Sequence, residues 1–116
     1  CEEQEVRAVS VSSNPVANTL TTLYTVPKGY YARVGLIHAN NATGSNKHVT
    51  FDWVDTSASV TVSVIYQYTI ASKTSLSFGL PYYFVMEEDD ILKVTTESGS
   101  TMGVVATFEI EGSQRT

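Results

Sequence analysis

The segment Val60–Ile70 (VTVSVIYQYTI) constrains the fold of this chain more than any other. Val60, Val62, Val64, Tyr66, Tyr68 and Ile70 fall on every second position, with Thr61, Ser63, Gln67 and Thr69 among the residues between them. A period of two is that of a half-buried β-strand, because successive side chains leave a strand on opposite faces. No charged residue interrupts the chain between Asp55 and Lys73. An uncharged, β-branched strand with a free edge is a template for aggregation. The segment is therefore an inner strand, or its edge is covered by another subunit. At about 3.3 Å per residue, eleven residues exceed the usual strand length, so a bend or bulge is expected within it.

The rest of the chain reads as further strands with turn signals between them. Val9 and Val11 alternate with Ser10 and Ser12 up to the Asn14-Pro15 breaker. Leu20 to Val26 forms a second strand, stopped by Val26-Pro27-Lys28-Gly29, where Pro second and Gly fourth suit a type I turn. Tyr30 to Asn40 forms a third, with Ala32, Val34, Leu36 and His38 expected on one face. After the loop Asn40–Asn46, a fourth strand sets Val49, Phe51 and Trp53 inward and Thr50 and Asp52 outward. Leu76 and Phe78 mark a short strand before Gly79, and Pro81 opens a separate aromatic segment, Tyr82-Tyr83-Phe84-Val85-Met86. Ile91 to Thr96 and Val104 to Ile110 complete the set, the last with Val104, Ala106, Phe108 and Ile110 inward. About eight or nine short strands at this spacing predict an all-β, antiparallel, jelly-roll-like β-sandwich. One domain over residues 1–116 is expected, with residues 1–5 and 112–116 as frayed ends.

Composition narrows the function classes. Hydrophobic residues make up 42% of the chain, enough for a real core, whereas charged residues reach only 16% and Ser and Thr take their place. A net charge of −5 with scattered Lys and Arg argues against nucleic acid as a partner, because phosphate binding needs clustered cations. No apolar run approaches the ~20 residues that span a bilayer, and there is no signal-like start. No membrane partner is expected. Cys1, the sole cysteine, excludes an internal disulfide. Its position reads as the residue left after removal of an initiator Met; a lipid-modified cysteine, as in mature bacterial lipoproteins, and an intermolecular disulfide are the alternatives.

Candidate chemistry is sparse. Glu87-Glu88-Asp89-Asp90 offers four carboxylates, but consecutive turn residues do not converge on one ion and the spaced pattern of a calcium loop is missing. A solvated turn is the expected state of this cluster. His38 and His48, ten residues apart, lack the further ligands of a metal site, and a hydrogen-bonded, semi-buried His38 is expected. No serine sits in a nucleophile-elbow sequence, and Asp52 and Asp55 point to opposite faces of one strand. No catalytic residue, metal site or cofactor is assigned, and the chain is read as not an enzyme. Asn41-Ala42-Thr43 matches the N-glycosylation pattern in what reads as an exposed loop. The adjacent pairs Tyr30-Tyr31 and Tyr82-Tyr83 are the candidate interface residues. One member of each pair enters the core and the other faces outward, where tyrosine is a low-entropy contact residue.

Three runs then fall in a familiar order: Leu23-Tyr24-Thr25-Val26-Pro27-Lys28-Gly29, Ile37-His38-Ala39-Asn40-Asn41, and Glu87-Glu88-Asp89-Asp90-Ile91-Leu92-Lys93-Val94. The chain from Leu20 to Ile110 resembles small β-sandwich virion proteins of tailed bacteriophages. Asp89 stands where those proteins usually have Gly, so Asp89 is expected to carry a positive φ, which Asp tolerates better than most residues. The resemblance implies a non-enzymatic structural part of a phage particle, made in the host cytoplasm and located in the virion. A capsid decoration (cement) protein is the first expectation, bound to the major capsid protein or other virion proteins as a homo-oligomer, with a trimer as the guess. A tail or neck accessory, or a module binding a host glycan or protein through exposed Tyr and the 40–46 loop, is the alternative. A bacterial surface lipoprotein domain, motivated by Cys1, is a further one.

Overall fold

The structure, a computed structural model, describes residues 6–112, and the side chains of all of these except residues 6 and 80–83. Among the described residues there are eight strands: β1 (Val6–Ser13), β2 (Thr21–Thr25), β3 (Tyr30–Asn41), β4 (Lys47–Asp55), β5 (Val60–Ile70), β6 (Ser75–Met86), β7 (Ile91–Thr96) and β8 (Met102–Gly112). They form two four-stranded sheets of order β1-β8-β3-β6 and β2-β7-β4-β5, with every pair antiparallel. Only β4 and β5 are consecutive strands in one sheet; every other connection crosses from one sheet to the other. That order is an eight-stranded jelly roll, as the strand pattern predicts.

The core lies between the sheets and follows from the alternation of the inner strands. Val49 and Phe51 of β4, Leu92 and Val94 of β7, and Val104, Ala106, Phe108 and Ile110 of β8 are all buried. Three aromatic pairs each join one sheet to the other. Tyr24 of β2 stacks on Phe108 of β8 at 4.7 Å, Trp53 of β4 meets Phe84 of β6 at 5.1 Å, and Tyr68 of β5 meets Phe78 of β6 edge-on at 5.8 Å. Such pairs contribute about 0.5–1.5 kcal/mol beyond their buried area, so they fix how the sheets face each other.

Bulges change the faces that simple alternation assigns. Gly35 has no partner in either neighbour: β6 and β8 both skip from Val34 to Leu36. Past that bulge the inward residues are Ile37, Ala39 and Asn41, and Leu36 and His38 leave the face that Ala32 and Val34 occupy. The expected single face of Ala32, Val34, Leu36 and His38 is thus broken at Gly35. In β6, Gly79 pairs with Leu36 and Phe84 with Val34, so the register shifts between Gly79 and Phe84 within one strand. The two segments expected around Pro81 are one strand. Pro81 falls in an edge strand, where proline is tolerated because one side of the strand needs no ladder N–H.

Turns at one end of the sandwich carry a similar correction. The Tyr30 N–H donates to the Pro27 carbonyl at 3.2 Å, and Gly29 has φ +83°. The turn is therefore Pro27–Tyr30, one residue later than expected, with Gly at the third position where type II geometry requires a positive φ. Asp89 has φ +71°, as expected from its place in a glycine position. At the chain's C-terminal side, Gly112 pairs opposite Tyr30 within β8. Residues 1–5 and 113–116 lie outside the described residues.

Candidate functional site

Four strands have a free edge, and three of them are blunted. β1 carries Arg7 on its edge, β2 is five residues long with a register break between Thr22 and Tyr24, and β6 shifts register between Gly79 and Phe84. Charges, brevity and bulges are the usual means of keeping an edge from pairing. β5 is the fourth. Among the described residues it pairs with β4 alone, and it bears no charge along its length.

The strand is long because two bulges bend it. Ser63 pairs with Asp52 and Ile65 with Phe51, which leaves Val64 extra; Tyr68 pairs with Val49, which sets Tyr66 and Gln67 against Thr50 alone. Gln67 has φ +47°, and its N–H donates to Thr50 Oγ1 at 2.9 Å. The bend expected in this segment is thus two bulges, and they put Tyr66 outside the face shared by Val60, Val62 and Val64. Val60 and Val62 lie opposite Asp55 and Trp53, on the face that turns toward the core, yet they remain 47% and 43% exposed. Tyr66 and Tyr68 are 69% and 48% exposed. β5 is the last strand of its sheet and faces β6, the last strand of the other, so the two sheets have no further strand on this side.

Where the sheets part, Val34, Ile37, Val64, Ile65, Phe78 and Phe84 line an apolar cleft of about 240 Å³. Tyr68 and Phe78 bridge the cleft wall from one sheet to the other. Beside the cleft, β5 exposes Val60, Val62, Tyr66 and Tyr68, with the uncharged Thr61, Ser63, Gln67 and Thr69 between them. The residues that line the cleft are all apolar or glycine.

The other candidate residues serve the fold. Asp90 is 0% exposed. Its Oδ2 accepts the Trp53 indole N–H at 3.0 Å and the Glu87 backbone N–H at 2.9 Å, and its Oδ1 accepts the Thr56 N–H at 3.0 Å. Its backbone carbonyl accepts the Val26 N–H, so one residue ties the β2–β3, β4–β5 and β6–β7 turns together. Glu88 Oε1 accepts the Gly29 N–H at 2.7 Å, and Asp89 pairs with Lys28. The acidic run is thus a docked turn with a buried hub, not the solvated turn its charge alone predicts.

Asn41 plays the matching part at the opposite end. It is 1% exposed; its Nδ2 donates to the Ser45 and Ile70 carbonyls, and its Oδ1 accepts the Thr43 N–H. A side-chain amide held this way has no free nitrogen to accept a glycan, which corrects the expectation of an exposed acceptor. His38 and His48 lie in different sheets; His38 Nδ1 is 2.6 Å from Ser77 Oγ, and His48 faces Glu97. Among the described residues, no group of three or more His, Cys, Asp or Glu is placed to hold a metal ion. No helix is long and apolar enough to cross a membrane.

Of the candidate interface tyrosines, Tyr30 packs against the core and Tyr31 donates its hydroxyl to Glu111 Oε1 at 2.7 Å. The side chains of Tyr82 and Tyr83, and all of Cys1, lie outside the described residues. Sequence reading singled out the β5 segment but not its tyrosines as contact residues, since the bulge that turns Tyr66 outward is set by pairing with β4.

The fold and this side define the class: a jelly-roll β-sandwich with an uncharged edge strand and an apolar cleft beside it. Neither a protein family nor a curated protein sequence matches the chain. Among solved structures, a chain of the Bacillus endospore appendages, a novel family of disulfide-linked pili, is similar with a TM-score of 0.58 at 15% identity, over 96% of this chain and 89% of its own. A chain of the virus-like particle of Macrobrachium rosenbergii extra small virus gives 0.40 at 12% identity, over 99% and 83%. A chain of infectious bursal disease virus, Gx strain, gives 0.39 at 10%, over 96% of this chain and 41% of its own. At 15% identity, the likeness to the endospore appendage chain is one of fold.

Proposed function

We propose that this chain is a non-enzymatic structural subunit of a phage particle, a capsid decoration protein that self-associates and sits on the major capsid protein. The observation that carries the reading is the uncharged edge of β5 with its exposed valines and tyrosines. A protein that acts alone protects such an edge; one that is built into an assembly covers it with a neighbour. The particular assembly is taken from the resemblance of the turn sequences to tailed-phage virion proteins, supported by the positive φ of Asp89. Low charge and abundant Ser and Thr suit a surface packed among many copies. Each contact need only be modest, because many copies on a shell act together by avidity.

A second reading is a subunit of a surface appendage. It is favoured by one observation, the agreement of the fold over nearly the whole length of both chains with a Bacillus endospore pilus subunit.

Co-sedimentation of the chain with purified phage particles, with gel densitometry to count copies, tests the first reading. Hundreds of copies per particle support a decoration protein, and a few to a dozen support a neck or tail accessory. Absence from particles overturns the virion role, and filaments of the purified chain under the electron microscope then support the appendage.

A further inference from the structure

We propose that β5 pairs antiparallel with β5 of a second copy of this chain, about a two-fold axis at Val62, joining two four-stranded sheets into one of eight strands. The inference rests on the structural-subunit reading above and specifies its first contact. Between Ser59, with φ +57°, and the bulge that begins at Val64, β5 runs in unbroken register with β4. The four residues of that stretch and the bulge residue that follows them, Val60-Thr61-Val62-Ser63-Val64, form a self-complementary sequence. A two-fold at Val62 sets Val62 against Val62 of the second copy, Thr61 against its Ser63, and Val60 against its Val64. β-Branched pairs and hydroxyl pairs are the cross-strand partners that stabilise a sheet. No charge lies on the strand to oppose itself, the nearest being Asp55 and Lys73.

The same pairing supplies what Val60 and Val62 lack. Both sit on the core-facing side of β5, and the valines of the second copy would lie beside them there. β6 is the competing partner on this side of the molecule, but its register with β3 shifts between Gly79 and Phe84. An isologous contact of this kind closes at two copies. The remaining surfaces stay available to the particle.

Disulfide trapping in a Cys1→Ser background tests the register. Opposed residues in an antiparallel pair lie about 4.5–5.5 Å apart at Cα, within disulfide reach, so Val62→Cys is expected to oxidise to a dimer. Val60→Cys by itself is not, since its counterpart in the second copy lies roughly 13 Å along the strand. A mixture of Val60→Cys and Val64→Cys chains is expected to cross-link again. Val62→Lys, which sets like charges directly opposite, is expected to raise the dimer dissociation constant at least about ten-fold in sedimentation velocity, with the circular dichroism of the fold unchanged. Val62 lies outside the packed core, so both substitutions leave the fold standing.

If Val62→Cys oxidises no faster than a Thr22→Cys control, or cross-links instead to Ser77→Cys in β6 of another chain, the β5–β5 pairing is overturned. So it is if Val62→Lys leaves self-association intact; in each of these cases the structural-subunit reading stands. A chain that neither self-associates nor binds particles overturns both.

Discussion

The indole N–H of Trp53 donates to the Oδ2 of Asp90 at 3.0 Å, across the junction between the β4–β5 and β6–β7 turns. Asp90 is fully buried and holds two backbone N–H groups as well, so its carboxylate is the shared acceptor for three donors. Asp90→Ala leaves those donors without a partner at one end of the sandwich. Since each unsatisfied buried donor costs about 1–3 kcal/mol, a loss of about 3 kcal/mol or more is expected in urea unfolding. Asp90→Asn keeps one acceptor oxygen and is expected to lose less. Because Trp53 is the sole tryptophan, its emission reports the site directly, and a red shift in the folded Asp90→Ala protein is expected.

Asn41 gives the corresponding prediction at the opposite end. Asn41→Asp replaces two donors by an acceptor facing the Ser45 and Ile70 carbonyls. A destabilisation of roughly 2–4 kcal/mol is expected by chemical denaturation, from repulsion and lost hydrogen bonds together. Expressed in a glycosylating host, the folded chain is expected to show an unmodified intact mass despite its Asn41-Ala42-Thr43 sequence.

The close approach of β3 and β6 at their bulge is tested by Gly79→Ala. A Cβ at Gly79 meets the Gly35 carbonyl oxygen at 3.1 Å and Leu36 Cδ1 at 3.4 Å. The oxygen belongs to the backbone and cannot rotate away, so the strands must part, at a cost of about 1–2 kcal/mol. The melting temperature is expected to fall. Widening of the neighbouring cleft should appear as increased binding of an apolar dye.

Alkaline pH provides an independent test. The hydroxyl of Tyr31 donates to Glu111, and that hydrogen bond holds the phenol above its ordinary pKa of 10.0. Burial raises Tyr24 in the same direction, with Arg7 opposing it. Lys28 is raised from 10.5, mainly by its hydrogen bond to Asp89. A raised folded-state pKa means that the unfolded chain loses its proton first as pH rises. The native state then binds more protons, and stability falls with increasing pH. The contribution is complete below pH 10 and is lost as pH climbs through the folded values. Stability measured by denaturant across this range is expected to decline, and Tyr31→Phe is expected to flatten part of that decline.

The sequence by itself determined what is local to a strand. In β4 and β8, which lie inside their sheets, strict alternation put Val49 and Phe51, then Val104, Ala106, Phe108 and Ile110, on the buried face, because the two-residue period comes from the backbone alone. The positive φ of Asp89 was legible for a similar reason, as a short turn records its own geometry. The tertiary structure decided everything that depends on a neighbour. Gly35 is skipped because both β6 and β8 pass it, and Tyr66 turns outward because β4 takes up two extra residues of β5. Asp90 and Asn41 read as surface residues until three turns meet at Asp90 and the β3–β4 and β5–β6 connections meet at Asn41, and their burial comes with hydrogen bonds to residues distant in the chain. An uncharged β5 segment stated a condition, inner strand or covered edge. Only the order of strands in the sheet, which no single segment encodes, made it the edge.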